Sequence, residues 1–154
     1  MTESLRSSPH EKSRPGDSRG ACSVLVVDDD RSILDTVSQA LDLSGFRVAT
    51  AADGAEALDA VADFQPDVVL LDMWMPVMDG WEFVRRLDRG GEAPKIVLMS
   101  ATTDLGRWAA EIQADGFLAK PFGIDHLLVL VENACQQAKA ERGTSGREGK
   151  ARFR

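Results

Sequence analysis

Residues 67–80 read DVVLLDMWMPVMDG: an unbroken apolar run, an aspartate, and a loop that closes on Asp-Gly. A strand with no polar alternation has no wet face, so residues 67–71 belong inside a parallel sheet covered by helices on both sides. Upstream, Gln65-Pro66 halts a helix, because proline disfavours the helical conformation in the residue before it. That helix opens with Asp53 and Glu56, a D-x-x-E pattern whose side chains cap the free N–H groups of a first turn. Ala57, Leu58, Val61 and Phe64 form its inner face. Before it, RVATA at 47–51 alternates more and suits a strand nearer the sheet edge. Earlier still, SVLVV at 23–27 is a second continuous run that ends in three aspartates. Ile33, Leu34, Val37, Leu41 and Leu43 follow at mostly helical spacing, with Gly45 as the stop.

Downstream of the loop the alternation continues. Phe83, Val84 and Leu87 make the inner face of a third helix, and KIVLM at 95–99 is a fourth strand. A helix over 104–114, a short strand over 116–119 and a last helix from about 124 to 137 complete the set. Five strands alternating with five helices predict an α/β fold with a doubly wound parallel sheet.

In such sheets reactive groups gather beyond the carboxyl ends of the strands. Asp28 and Asp29 follow the first strand, Asp72 the third, Ser100 the fourth and Lys120 the fifth. Singly, each has a plainer reading. An aspartate after a strand often caps a helix, which is the role expected of Asp30; a serine there serves a turn, and a lysine before proline is ordinary surface. Together they are harder to dismiss. Two carboxylates ~4 Å apart repel by ~4 kcal/mol at an effective dielectric near 20, so an acidic pocket needs a cation within it. Lys120 offsets part of that repulsion, and Mg²⁺ suits the remainder because it binds through few carboxylates, several waters and a phosphate. An acidic pocket with one lysine and one hydroxyl is suited to phosphoryl transfer onto a carboxylate.

The segments VLVVDDD, VVLLDMWMPVMDGWEF, IVLMSA and DGFLAKPF resemble those of response-regulator receiver domains, in the same order and spacing, over about residues 22–138. The resemblance, chemotaxis-regulator-like, implies a flavodoxin-like receiver fold with strand order 2-1-3-4-5. It implies that Asp72 takes a phosphoryl group, and that Asp28, Asp29, Asp72 and the backbone carbonyl of Trp74 surround Mg²⁺, with Asp28 acting largely through water. It further implies that Lys120 contacts the phosphoryl group, that the bond to Pro121 is cis, and that Gly80 supplies backbone freedom beside the acceptor loop. Ser100 and Phe117 correspond to the pair that switches the face formed by the fourth helix, fifth strand and fifth helix. Phe117 departs from the tyrosine of many members and brings no hydroxyl. Trp74 is bulky beside the route of an attacking water, which implies slow loss of phosphate. The partners implied are a sensor histidine kinase or histidine phosphotransfer protein as donor and a downstream protein target. The chain would then be no enzyme in its own right, but would assist its own phosphorylation and dephosphorylation.

Composition narrows the partners. A formal net charge of −7 argues against nucleic-acid binding by the body of the protein, and no apolar run approaches the ~20 residues of a bilayer span. Residues 1–21 have no apolar core of a secretory signal and are expected to be a disordered tail; 139–154, with three glycines and five basic residues in ERGTSGREGKARFR, are expected to be a flexible basic tail. The remaining 22–138 form one receiver domain. Cys22 and Cys135 match no metal or redox spacing and read as reduced thiols of a cytoplasmic protein. Met1 favours a stand-alone receiver over a piece of a longer regulator, expected as a monomer or a weak phosphorylation-dependent dimer. Trp81 and Trp108 read as packing or isolated surface aromatics, with an output-surface role for Trp108 as the sharper alternative, and neither His10 nor His126 suits a phosphohistidine relay. Two competing readings are a phosphorylation-independent binding module and an aspartyl-phosphate phosphohydrolase. The second is disfavoured because Met73 and Trp74 follow Asp72 where a D-x-D pattern would place a second carboxylate.

Overall fold

A computed structural model describes residues 21–89 and 93–152. The alternation is realised as β1 (Ser23–Val27), α1 (Arg31–Leu43), β2 (Arg47–Ala51), α2 (Gly54–Phe64), β3 (Val68–Asp72), α3 (Gly80–Arg86), β4 (Lys95–Ser100), α4 (Leu105–Ile112), β5 (Gly116–Ala119) and α5 (Ile124–Arg152). The strands form one sheet in the order β2-β1-β3-β4-β5, every pair parallel. Because β1, β3 and β4 are covered on both faces, each is buried throughout, whereas β2 lies at an edge and is only partly buried.

The pleat sends alternate side chains to opposite faces, so the sheet divides the core in two. Val24, Val26, Leu70 and Met99 pack with Leu34 and Val37 of α1 and Leu127 and Val131 of α5. Leu25, Val27, Leu71 and Leu98 pack with Ala57 of α2, Phe83 of α3 and Leu105 of α4. The helix starts follow the capping chemistry. Asp30 accepts from the Ser32 and Ile33 N–H groups, Asp53 from that of Glu56, and the Glu56 carboxylate reaches back to the Ala52 N–H. Gly45 leaves α1 at φ 96°, a conformation open to glycine.

Four expectations need correction. Cys22 and Cys135 are not free thiols but a disulfide. A separation of 113 residues says nothing of distance once β1 and α5 pack on one core, where the two Cα atoms are 6.1 Å apart. The helix expected to stop near Gln137 runs on to Arg152 through much of the expected basic tail. Gln136, Gln137, Ala138, Lys139, Ala140 and Glu141 are strong helix formers, and the later glycines lower propensity without ending the helix. Leu43, grouped with Ile33, Leu34, Val37 and Leu41 at mostly helical spacing, is 80% exposed and does not share the burial of Leu34, Val37 and Leu41. Gly80 has no positive φ; its role is space, since a Cβ there would lie 2.6 Å from Met73 Sδ and 2.8 Å from Met73 Cα. The expected N-terminal tail lies outside the described residues, except for its last position.

Candidate functional site

Parallel pairing aligns the strand ends. Val27 stands beside Leu71, Asp72 beside Met99, and Ser100 beside Ala119. Asp28, Asp72, Ser100 and Lys120 are therefore delivered to one rim by backbone register alone. Asp28, Asp29 and Asp72 each offer a carboxylate oxygen, all within 4.8 Å of one another. Asp28 is wholly buried, Asp72 nearly so, and Asp29 is exposed, giving the cluster one open side.

Lys120 enters this cluster from the end of β5. Its Nζ lies 2.7 Å from Asp28 Oδ2 and 3.7 Å from Asp72 Oδ1. The Lys120 backbone N–H donates to the Ser100 carbonyl at 2.8 Å, which ties the lysine to the hydroxyl-bearing residue next door. The Lys120–Pro121 bond is cis. The other Asp28 oxygen accepts the Asp30 N–H at 2.9 Å, so Asp28 is held from two directions. Asp72 is less well compensated. Burial, then the Asp28 carboxylate, push its carboxyl up to about 6; Lys120 and the hydrogen bond from the Trp74 backbone N–H pull the other way, and Asp29 adds a smaller upward push. A carboxyl poised in this way gains from any cation that enters the pocket.

The donor set fits a hard divalent ion: clustered carboxylate oxygens with an open side, beside an expected backbone carbonyl. The loop after Asp72 is fixed by close backbone contact, with Gly80 N–H donating to Met73 O at 2.9 Å and Gly54 N–H to Met78 O at 3.0 Å. Ser100 is buried, and its Oγ accepts the Thr102 N–H at 3.4 Å. Phe117 stands apart from this group. It is 48% exposed on β5, with its ring beside Gly106 of α4.

Trp74 also behaves in a way its position does not announce. It is 60% exposed, yet its ring meets those of Trp81 (centroids 5.2 Å) and Trp108 (5.6 Å), which meet each other at 4.7 Å, all edge to face. Trp81 and Trp108 are thus not isolated: both pack against the core on this face of the sheet, as the packing reading expects, and both meet Trp74 besides. No spacing rule in the sequence joins positions 74, 81 and 108, because their meeting depends on how α3 and α4 lie beside the loop.

The fold and this rim define a class, and comparison with known proteins agrees. Residues 24–132 match the response regulator receiver domain family. The chain belongs to that family. It is 35% identical over 122 residues to the response regulator MprA of Mycobacterium sp. (strain KMS), covering 78% of this chain and 53% of MprA. The chain therefore spans about half the length of the curated relatives it matches. Among solved structures it resembles the chemotaxis response regulator CheY4 of Vibrio cholerae (35% identity, TM-score 0.68, 74% of this chain and 98% of CheY4). NtrX of Brucella abortus is also similar (31% identity, TM-score 0.74, 81% of this chain and 29% of NtrX). Response regulator receiver domains work in two-component systems, where they interact with histidine kinases. No helix among the described residues is long and apolar enough to cross a membrane.

Proposed function

We propose that residues 22–138 act as the phosphoacceptor of a two-component phosphorelay, with Asp72 as the nucleophile. The observation that carries this reading is the Lys120 ammonium set against the two buried members, Asp28 and Asp72, of a three-carboxylate cluster. An Asp72 oxygen attacks the phosphorus of a phosphohistidine donor in line; the P–N bond breaks, its electron pair stays on the imidazole, and the imidazole leaves once protonated. Lys120 lies within reach of the phosphoryl oxygens, and the Ser100 hydroxyl donates to one of them. Asp28, Asp29, Asp72 and the Trp74 carbonyl would hold Mg²⁺, which supplies charge neutralisation at the transferred group.

The added phosphoryl group brings roughly −1.5 to −2 charges and new acceptor oxygens beside Ser100. Movement of that hydroxyl toward them vacates space into which Phe117 turns from its exposed position, remodelling the face of α4, β5 and α5 that a downstream protein reads. A cytoplasmic phosphohistidine donor sets this work in a reducing compartment, which opposes the Cys22–Cys135 bond. The test is intact mass after incubation with Mg²⁺ and acetyl phosphate. Wild type should gain one phosphoryl group only when Mg²⁺ is present, and Asp72→Asn should gain none. Failure of wild type with both acetyl phosphate and a cognate kinase would leave a receiver-fold binding module as the reading.

A further inference from the structure

We propose that Trp81 and Trp108 are positioning residues for the acceptor site, acting through Trp74; this rests on the reading of Asp72 as an acceptor in a Mg²⁺ pocket. Trp74 joins two kinds of contact in one residue. It stands two residues after Asp72, its backbone N–H favours the ionised Asp72 carboxylate, and its carbonyl is the expected ligand contributed by the loop. Its ring is largely exposed, so burial alone does not hold it. What holds it is the edge-to-face contact with Trp81 and Trp108.

Those two rings are rooted where Trp74 is not. Both pack against the core layer that contains Met73, Phe83, Leu105 and Ala109. Trp81 follows Gly80, whose N–H already fastens Met73, so it braces the loop from its own far end. Trp108 comes from α4, and among the described residues no backbone hydrogen bond outside the helices and strands joins α4 to residues 73–79. The ring contact is therefore how α4 reaches the residue that touches Asp72. Pinning the Trp74 ring narrows the backbone excursions open to that residue, and ligand geometry at a small cation tolerates little misplacement.

The variants are Trp108→Met, which keeps apolar bulk and helix propensity, and Trp108→Phe, which keeps a ring edge. Mg²⁺ affinity is read from the amide NMR shifts of Asp29 and Asp72 during titration of the full chain, without phosphodonor. Trp108→Met should weaken Mg²⁺ binding by about three- to tenfold, the range one aromatic edge contact supplies, while Trp108→Phe stays close to wild type. Labelling by acetyl phosphate should slow in Trp108→Met at low Mg²⁺ and recover at saturating Mg²⁺. Unchanged affinity in a folded Trp108→Met, or equal loss in both variants, would overturn the proposal while leaving wild-type Mg²⁺ binding intact. Wild-type amides that ignore Mg²⁺ would instead overturn the acceptor-site reading beneath it. If Trp108→Met does not fold, Trp81→Met and Trp81→Phe carry the same comparison.

Discussion

Lys120 Nζ sits 2.7 Å from an oxygen of Asp28, a carboxylate whose side chain is 1% exposed and which lies 92 residues earlier in the chain. The pair joins the ends of β5 and β1 across the whole width of β3 and β4.

Removing the ammonium leaves Asp28 buried among carboxylates without its closest cation. Breaking a buried ion pair from one side costs about 3–5 kcal/mol, and with Lys120 18% exposed the lower end applies. Lys120→Met should therefore lower unfolding free energy by about 3 kcal/mol in urea titrations at pH 7 without Mg²⁺. Millimolar Mg²⁺ should restore part of the loss, since the ion would neutralise the same carboxylates. A variant as stable as wild type would show that the Lys120–Asp28 pair contributes nothing net to the fold.

Asp72 makes a prediction of opposite sign. Its carboxyl is raised from 3.8 to about 6, chiefly by burial and then by Asp28. A raised carboxyl binds its proton more tightly folded than unfolded, so ionisation costs the fold nothing below pH ~4 and the full amount above pH ~6. In EDTA, Asp72→Asn should be more stable than wild type by on the order of 2 kcal/mol at pH 7.5, with the gap closing as pH falls through 6 toward 4. Acetyl phosphate labelling, which is run with Mg²⁺, should fall only at a lower pH than this window, because a cation in the pocket favours the carboxylate that attacks. A stability gap that is flat between pH 4 and 7.5 would contradict the shift.

The strands were legible because a parallel sheet buries both faces, and continuous runs such as VVLL and IVLM have no other use. The acidic rim was legible for a related reason: strand register turns sequence position into spatial position, so Asp28, Asp72, Ser100 and Lys120 could be placed together. What was not legible depends on how helices lie on the sheet. The Cys22–Cys135 bond and the meeting of Trp74, Trp81 and Trp108 arise from packing between elements distant in the chain, for which spacing carries no signal. Gly80 was singled out correctly but for the wrong cause, since steric contact with Met73 leaves no mark different from that of a positive φ.

Val77 is one strained point in the acceptor loop. It takes φ 70° in that loop and is 82% exposed. The left-handed region costs a residue with a Cβ roughly 1–2 kcal/mol, and β-branching makes it worse. Val77→Gly should therefore stabilise the protein by about 1 kcal/mol, after subtracting the extra freedom glycine gains when unfolded. Thermal unfolding of the two proteins, with and without Mg²⁺, checks it. A lower midpoint in Val77→Gly would mean that the loop leaves this conformation in solution.

The disulfide closes a loop of 113 residues, most of the receiver. Cross-linking so long a loop removes unfolded-chain entropy worth about 4–5 kcal/mol on the chain-entropy account. It also fastens a weak stretch of α5. Between Val131 and Glu141 that helix gives the core Ala134, Cys135 and Ala138, all small, with the Lys95–Glu141 ion pair at 2.5 Å beside them. Reduction by a phosphine should lower the urea midpoint and speed amide exchange over residues 132–141 before it affects β1 or β3. Cys22→Ala/Cys135→Ala should match the reduced protein and ignore the phosphine. Alkylation under denaturing, non-reducing conditions should modify neither cysteine. Two alkylated thiols in freshly isolated protein would show that the chain works reduced, as a cytoplasmic phosphorelay demands, and that the pair closes only on oxidation.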